Sequence, residues 1–167
     1  MKTRSMKALL TSTMVGFTVL WLSAAALAAP PHIGTFPIND QFTDDGASAA
    51  CGFDVNVHLV GTVRYVAFFD PQGQLTSVQL HNNLTGSMSA NGITLNEVDH
   101  NTDTINLVKG TETEVGIVFR ESLPGTGVAI MDVGRLSGTL DGSLLFEAGP
   151  HPALDGDLTT LCAALTP

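Results

Sequence analysis

Phe53-Asp54-Val55-Asn56-Val57-His58-Leu59 is the stretch that decides the fold. Apolar and polar residues alternate with a period of two. An extended chain with that pattern has one apolar face and one wet face, which makes a half-buried strand. Gly61 ends this run, and Thr62–Phe69 reads as the next strand, closed by the turn Asp70-Pro71-Gln72-Gly73. Leu75–His81, Leu84–Ser89, Ile93–Val98, Thr104–Val108, Glu114–Glu121, Val128–Val133, Arg135–Leu140 and Ser143–Glu147 follow. The breaks between them fall at Asn82-Asn83, Asn91-Gly92, Asp99–Asp103, Lys109-Gly110, Pro124–Gly127 and Asp141-Gly142. Asn91-Gly92 is the strongest of these hairpin signals, because both turn positions need positive φ.

About nine short strands at regular spacing predict an all-β antiparallel meander. Closure would remove exposed edges, so the expectation is a small barrel, calycin-like or allene-oxide-cyclase-like. Helical periodicity enters only at Asp155–Leu165, where Asp155 or Asp157 could cap a short C-terminal helix with Leu158, Leu161, Cys162 and Leu165 on one face. Val63–Phe69, Val115–Phe119 and Val128–Val133 are apolar on both faces. Their outer sides call for a cover: the C-terminal helix, the N-terminal arm, or a second subunit in a homo-oligomer.

The chain has 167 residues, 44% of them hydrophobic and 14% charged, enough for one domain with a core. Residues 1–28 read as a signal peptide. Lys2, Arg4 and Lys7 precede the uncharged run Ala8–Leu22, and Ala26-Leu27-Ala28 offers a cleavage site. Residues 29–50, with Pro30, Pro31 and Pro37, read as an extended arm pinned by Phe36, Ile38 and Phe42. Residues 51–167 read as the single barrel domain. The whole chain carries a net charge of −9; without Lys2, Arg4 and Lys7, four basic residues (Arg64, Lys109, Arg120, Arg135) face 16 acidic ones, a net −12. Such a polyanion has no counterions to release from nucleic acid and is repelled by anionic lipid, so neither is an expected partner. The expected location is secreted or extracytoplasmic.

Cys51 and Cys162 are the only cysteines. In an exported chain an even count reads as a disulfide, here one bond that joins the start of the domain to its end. There is no CxxC for redox work and no His at ligand spacing for a metal.

Cys51-Gly52-Phe53-Asp54-Val55, Gly61, Phe68-Phe69-Asp70 and Gly73 resemble the opening of a group of short exported proteins from actinobacteria. Gly149-Pro150-His151-Pro152, Asp157 and Leu161-Cys162-Ala163-Ala164-Leu165 resemble its closing signature. The resemblance covers Phe42 to Leu165. It implies an exported, β-rich single domain with the two cysteines paired, and it brings no catalytic residues.

Chemical motifs are few. His32, His58, His81, His100 and His151 lie on separate segments without HxH or HExxH spacing, so no metal is expected. Asp99-His100-Asn101-Thr102-Asp103 begins like a calcium loop, but Thr104 stands where the Gly should be and Gly110 where the Glu should be. It reads as a polar hairpin loop. No GxSxG elbow or complete dinucleotide loop occurs, and no cofactor is implied. The function expected from fold and composition is a secreted barrel that binds a small apolar or amphipathic molecule. Arg64, Tyr65, His81 and His151 are the candidate ligand-binding residues. Two alternatives stand beside it. One is a cell-envelope structural or interaction protein. The other is a barrel cyclase-type enzyme, which requires one of His81, Arg64 or Glu97 to point into the cavity.

Overall fold

The computed structural model describes residues 29–167. The expected signal peptide and its cleavage after Ala28 lie outside the described residues. Seven strands make one antiparallel meander: β1 (His32–Thr43), β2 (Asn56–Phe69), β3 (Leu75–Ala90), β4 (Ile93–Asn106), β5 (Thr111–Leu123), β6 (Gly127–Thr139) and β7 (Leu144–Ala148). Helix α1 (Asp45–Cys51) lies between β1 and β2, and α2 (Thr159–Ala164) follows β7. The all-β meander and the short C-terminal helix are as the sequence suggests. The barrel is not closed: β1 and β7 are the two edges of the sheet and do not pair.

The strands are fewer and longer than their punctuation predicts, because four of the expected breaks run inside strands, Gly134 of β6 among them. Gly61 sits mid-strand in β2, opposite Leu84 of β3. Its φ is +151°, and a Cβ there would run into the Asn83 carbonyl oxygen, so the glycine permits a close crossing of two backbones rather than ending a strand. Gly61→Ala is expected to destabilise the fold by roughly 2 kcal/mol or more, read as a lower urea midpoint at unchanged slope. Asn82-Asn83 and Asp99–Asp103 also continue as ladder, with Asn82 opposite Asn101. Their polar side chains satisfy one another across strands. Asn82 Nδ2 donates to Asn101 Oδ1 at 2.5 Å and to Asp103 Oδ2 at 2.9 Å, and Asn101 Nδ2 donates to Glu114 Oε1 at 2.6 Å. Asp99–Asp103 is therefore strand, not a hairpin loop. β3 and β4 are joined by the hairpin turn Asn91-Gly92, with φ of +52° and +79°.

The 29–50 segment is also more structured than an extended arm. β1 pairs with β2 from His32↔Ala67 to Thr43↔Asn56. Asp44 then caps α1, its Oδ1 accepting the Ala47 N–H at 2.9 Å, and Gly52 ends the helix in the left-handed conformation.

Register and alternation place Val57, Met88 and Leu95 side by side on one face of the sheet, here called the inner face. Ile130 lies there too. α1 supplies Ala47 and α2 supplies Leu161 and Leu165 to cover it, and these residues make the buried core. The core therefore sits at one end of the sheet, beneath two short helices. Cys51 and Cys162 bond those helices to each other across 111 residues, with a Cα–Cα distance of 5.1 Å. Asn91 Nδ2 donates to the Leu165 carbonyl at 3.0 Å and fastens the β3–β4 hairpin to the end of α2. Neither α2 nor β1 covers the doubly apolar strands fully: Val115 and Val128 stay about half exposed.

Candidate functional site

Every second residue of β4 faces inward, so Leu95, Glu97 and Asp99 share the inner face, and all three are buried. β5 sets Glu121 directly opposite Glu97, and β6 sets Ile130 opposite Glu121. Glu121 is fully buried. A row of carboxyl groups thus crosses the sheet immediately beside the apolar core. Above Glu97 and Asp99 lies a cavity of about 350 Å³. Its sheet side is Val57, Met88, Val118 and Phe119; its helix side is Ala47, Ala153, Leu158 and Leu161; Phe42 and Asp44 stand at its β1 end. The segment between β7 and α2 that supplies Ala153 is held by a further buried carboxylate. Asp132 Oδ1 accepts the Ala153 N–H at 3.2 Å.

The carboxyls are poorly satisfied. Asp99 Oδ1 has no hydrogen-bond partner among the described residues, and the side-chain partner of Glu97 and Glu121 is the other's carboxyl. Two carboxylates are acceptors only, so Glu97 and Glu121 can bond only when one carries a proton. Burial, reinforced by the neighbouring Glu121 and Asp99 charges, holds the Glu97 carboxyl well above the usual range. Burial and Asp99 likewise raise Glu121. Burial alone pushes Asp99 up to about 6. Farther along the same face Glu114 is pushed up to about 7, by burial first and then by Asp103 and other acids. Asp103 is raised by burial, with the Asn82 hydrogen bond opposing. The inner face therefore changes from apolar core to an acid-lined floor within two residues of β4.

None of the four residues singled out in the sequence as ligand-binding lines this cavity. Arg64 and His81 are register partners across β2 and β3, but alternation puts both on the opposite face, where His81 Nδ1 lies 3.1 Å from Thr102 Oγ1. Tyr65 faces inward far along β2, its ring packed over Gly34 of β1. His151 is buried in the segment after β7, with Nε2 3.4 Å from the Ala148 carbonyl oxygen and Nδ1 unpartnered. Of the three inward candidates for a cyclase, Glu97 faces the cavity and Arg64 and His81 do not.

Glu121 and Asp132 carry no sequence motif that marks them as site residues, and the incomplete calcium pattern that begins at Asp99 points to a different chemistry. Acids alternating along a strand ordinarily mark its wet face. Here Leu95 shares their face, and that is the available signal. A wider polar depression of about 500 Å³ lies across the ends of β1–β3, lined by exposed groups such as Gln41, Thr43 and Asn56. It buries no chemistry comparable to the acid-floored cavity.

Among the described residues, no group of three or more His, Cys, Asp or Glu side chains could hold a metal ion. None of their helices is long and apolar enough to cross a membrane. Set against family models, curated proteins and solved structures, the chain matches none of them.

Proposed function

We propose that this is a secreted binding protein that holds a small amphipathic molecule between α1, α2 and the inner face of β2–β5, as a barrel-like carrier does. The cavity is the observation that carries this reading: about 350 Å³, mostly apolar, with Glu97 and Asp99 as its convergent polar groups. Ligand pockets are typically apolar concavities with a few placed polar groups that fix orientation. The disulfide between α1 and α2 supports it, because it preorganises the cover of the cavity.

The uncharged fluorescent probe N-phenyl-1-naphthylamine should bind the wild-type protein saturably and at one site. Ala153→Trp, which places an indole in the cavity, should weaken that binding at least tenfold while the protein stays folded by circular dichroism. Equal binding by the two proteins, or none by either, would exclude the cavity as the site.

A second reading draws on Glu97. A carboxyl kept neutral in apolar surroundings can donate a proton, as a barrel cyclase-type enzyme would need. Ligand extracted from the purified protein should then return, on incubation, as an isomer of unchanged mass, and Glu97→Gln should stop the conversion. Unchanged ligand would leave binding as the whole activity.

A further inference from the structure

We propose that the cavity selects amphipathic organic cations, a primary ammonium group seated on Glu97 and Asp99 with its apolar part against Met88 and Leu161. The inference rests on the binding reading above and adds the chemical class of the ligand. Glu97 and Asp99 are 7% and 8% exposed, and both line the cavity. Asp99 Oδ1 has no partner among the described residues, and Glu97 Oε2 has no donor apart from the Glu121 carboxyl. A buried acceptor without a donor is a standing cost, removed when a ligand brings N–H groups to it. An ammonium brings three donors and the compensating charge. A carboxylate or phosphate ligand would bring only acceptors and repulsion.

The ionisable groups that face the site from the surrounding elements are all acidic. β4 presents Asp99 beside Glu97, β5 presents Glu121 opposite it, and α1 presents its cap, Asp44. β3 offers Gly86 at the position opposite Glu97, and α2 carries no ionisable group. Among the described residues, no Lys, Arg or His lines the cavity. The positive charge that would pair these acids is therefore missing from the pocket wall, and a ligand can supply it. Selectivity against a neutral isostere follows from the same atoms. An alcohol brings one donor and no charge, and leaves the carboxyls to be neutralised by protons. Cation binding competes with those protons, so it should release protons and strengthen as pH rises.

Calorimetric titration with n-octylamine, n-octanol and n-octanoate tests this. At pH 8 octylammonium should bind at least tenfold more tightly than octanol, and octanoate should bind least. Octylammonium affinity should rise at least tenfold from pH 5.5 to pH 8, with proton release seen as a dependence of the measured heat on the buffer. Glu97→Gln should remove most of the preference for octylammonium, and an unchanged circular dichroism spectrum and cooperative thermal unfolding show that the variant has kept its fold. Octanol binding as tightly as octylammonium would overturn the cation assignment while leaving the amphipathic-ligand reading in place. Failure of all three compounds to bind would overturn both.

Discussion

The protein should lose stability as the medium becomes alkaline, the reverse of the behaviour of most acidic domains. Glu97, Asp99, Glu114 and Glu121 all have folded-state proton affinities above their unfolded ones. For an acid shifted in that direction, the native state binds protons that the unfolded state releases. Its stabilising contribution is complete below the unfolded value, near 4 to 4.5. It is lost as pH rises through the folded values, from about 6 for Asp99 to about 8 for Glu97. Each tenfold difference in proton affinity between the folded and unfolded chain corresponds to about 1.4 kcal/mol. The groups interact, and water screens them in part, so the cluster is worth less than the sum of its members. An effect on the order of 4 kcal/mol between pH 5 and pH 9 is expected, a fall in Tm of roughly 10 °C or more. Thermal unfolding across that range checks it. Glu121→Gln removes one charge from the most buried position, so it should flatten the curve and raise Tm at pH 8. A Tm that climbs from pH 5 to pH 8 in the wild-type protein would contradict the burial of these carboxyls.

Breaking the Cys51–Cys162 bond should have an effect of comparable size. The bond closes a loop of 111 residues, and a loop near that length constrains the unfolded chain by about 4–5 kcal/mol in the chain-entropy picture. The expected fall in Tm on reduction, or in a Cys51→Ala/Cys162→Ala variant, is on the order of 10 °C or more. Reduction should also weaken binding of the uncharged probe. α1 and α2 hold one side of the cavity through Ala47 and Leu161, and without the bond nothing covalent fixes one helix to the other. Equal Tm values for the oxidised and reduced forms would show that the helices are held by packing alone.

The fold is legible wherever side-chain period and turn chemistry agree. The second half of Phe53–Leu59 opens β2 at Asn56, Asn91-Gly92 fixes the β3–β4 hairpin, and the two cysteines join the ends of the domain. Legibility fails where glycine or asparagine looks like punctuation. Gly61 is needed because a neighbouring backbone passes too close for a Cβ, a fact about β3 that β2 does not carry. Asn82 and Asn101 remain in strands because each finds the other across the sheet, a pairing set by register. α1 is hidden because seven residues of mostly small side chains show no helical stripe, and its stability comes from the Asp44 cap and the packing of Ala47. The candidate site is hard to read for a related reason. Arg64, Tyr65, His81 and His151 are the residue types that commonly contact ligands, but residue type alone does not say which face of a strand is inner. Counting by twos from Leu95 does reach Glu97 and Asp99. Glu121 needs the β4–β5 register as well.

The most direct measurement is an intermolecular nuclear Overhauser experiment on the methyl-labelled protein with n-octanol bound. Cross-peaks from the octanol methylenes to the Met88 and Leu161 methyl groups, lost in Ala153→Trp, are predicted, because those two side chains both line the acid-floored cavity. Cross-peaks confined to the exposed Leu144 and Leu145 of β7, or their absence from every methyl, would contradict it.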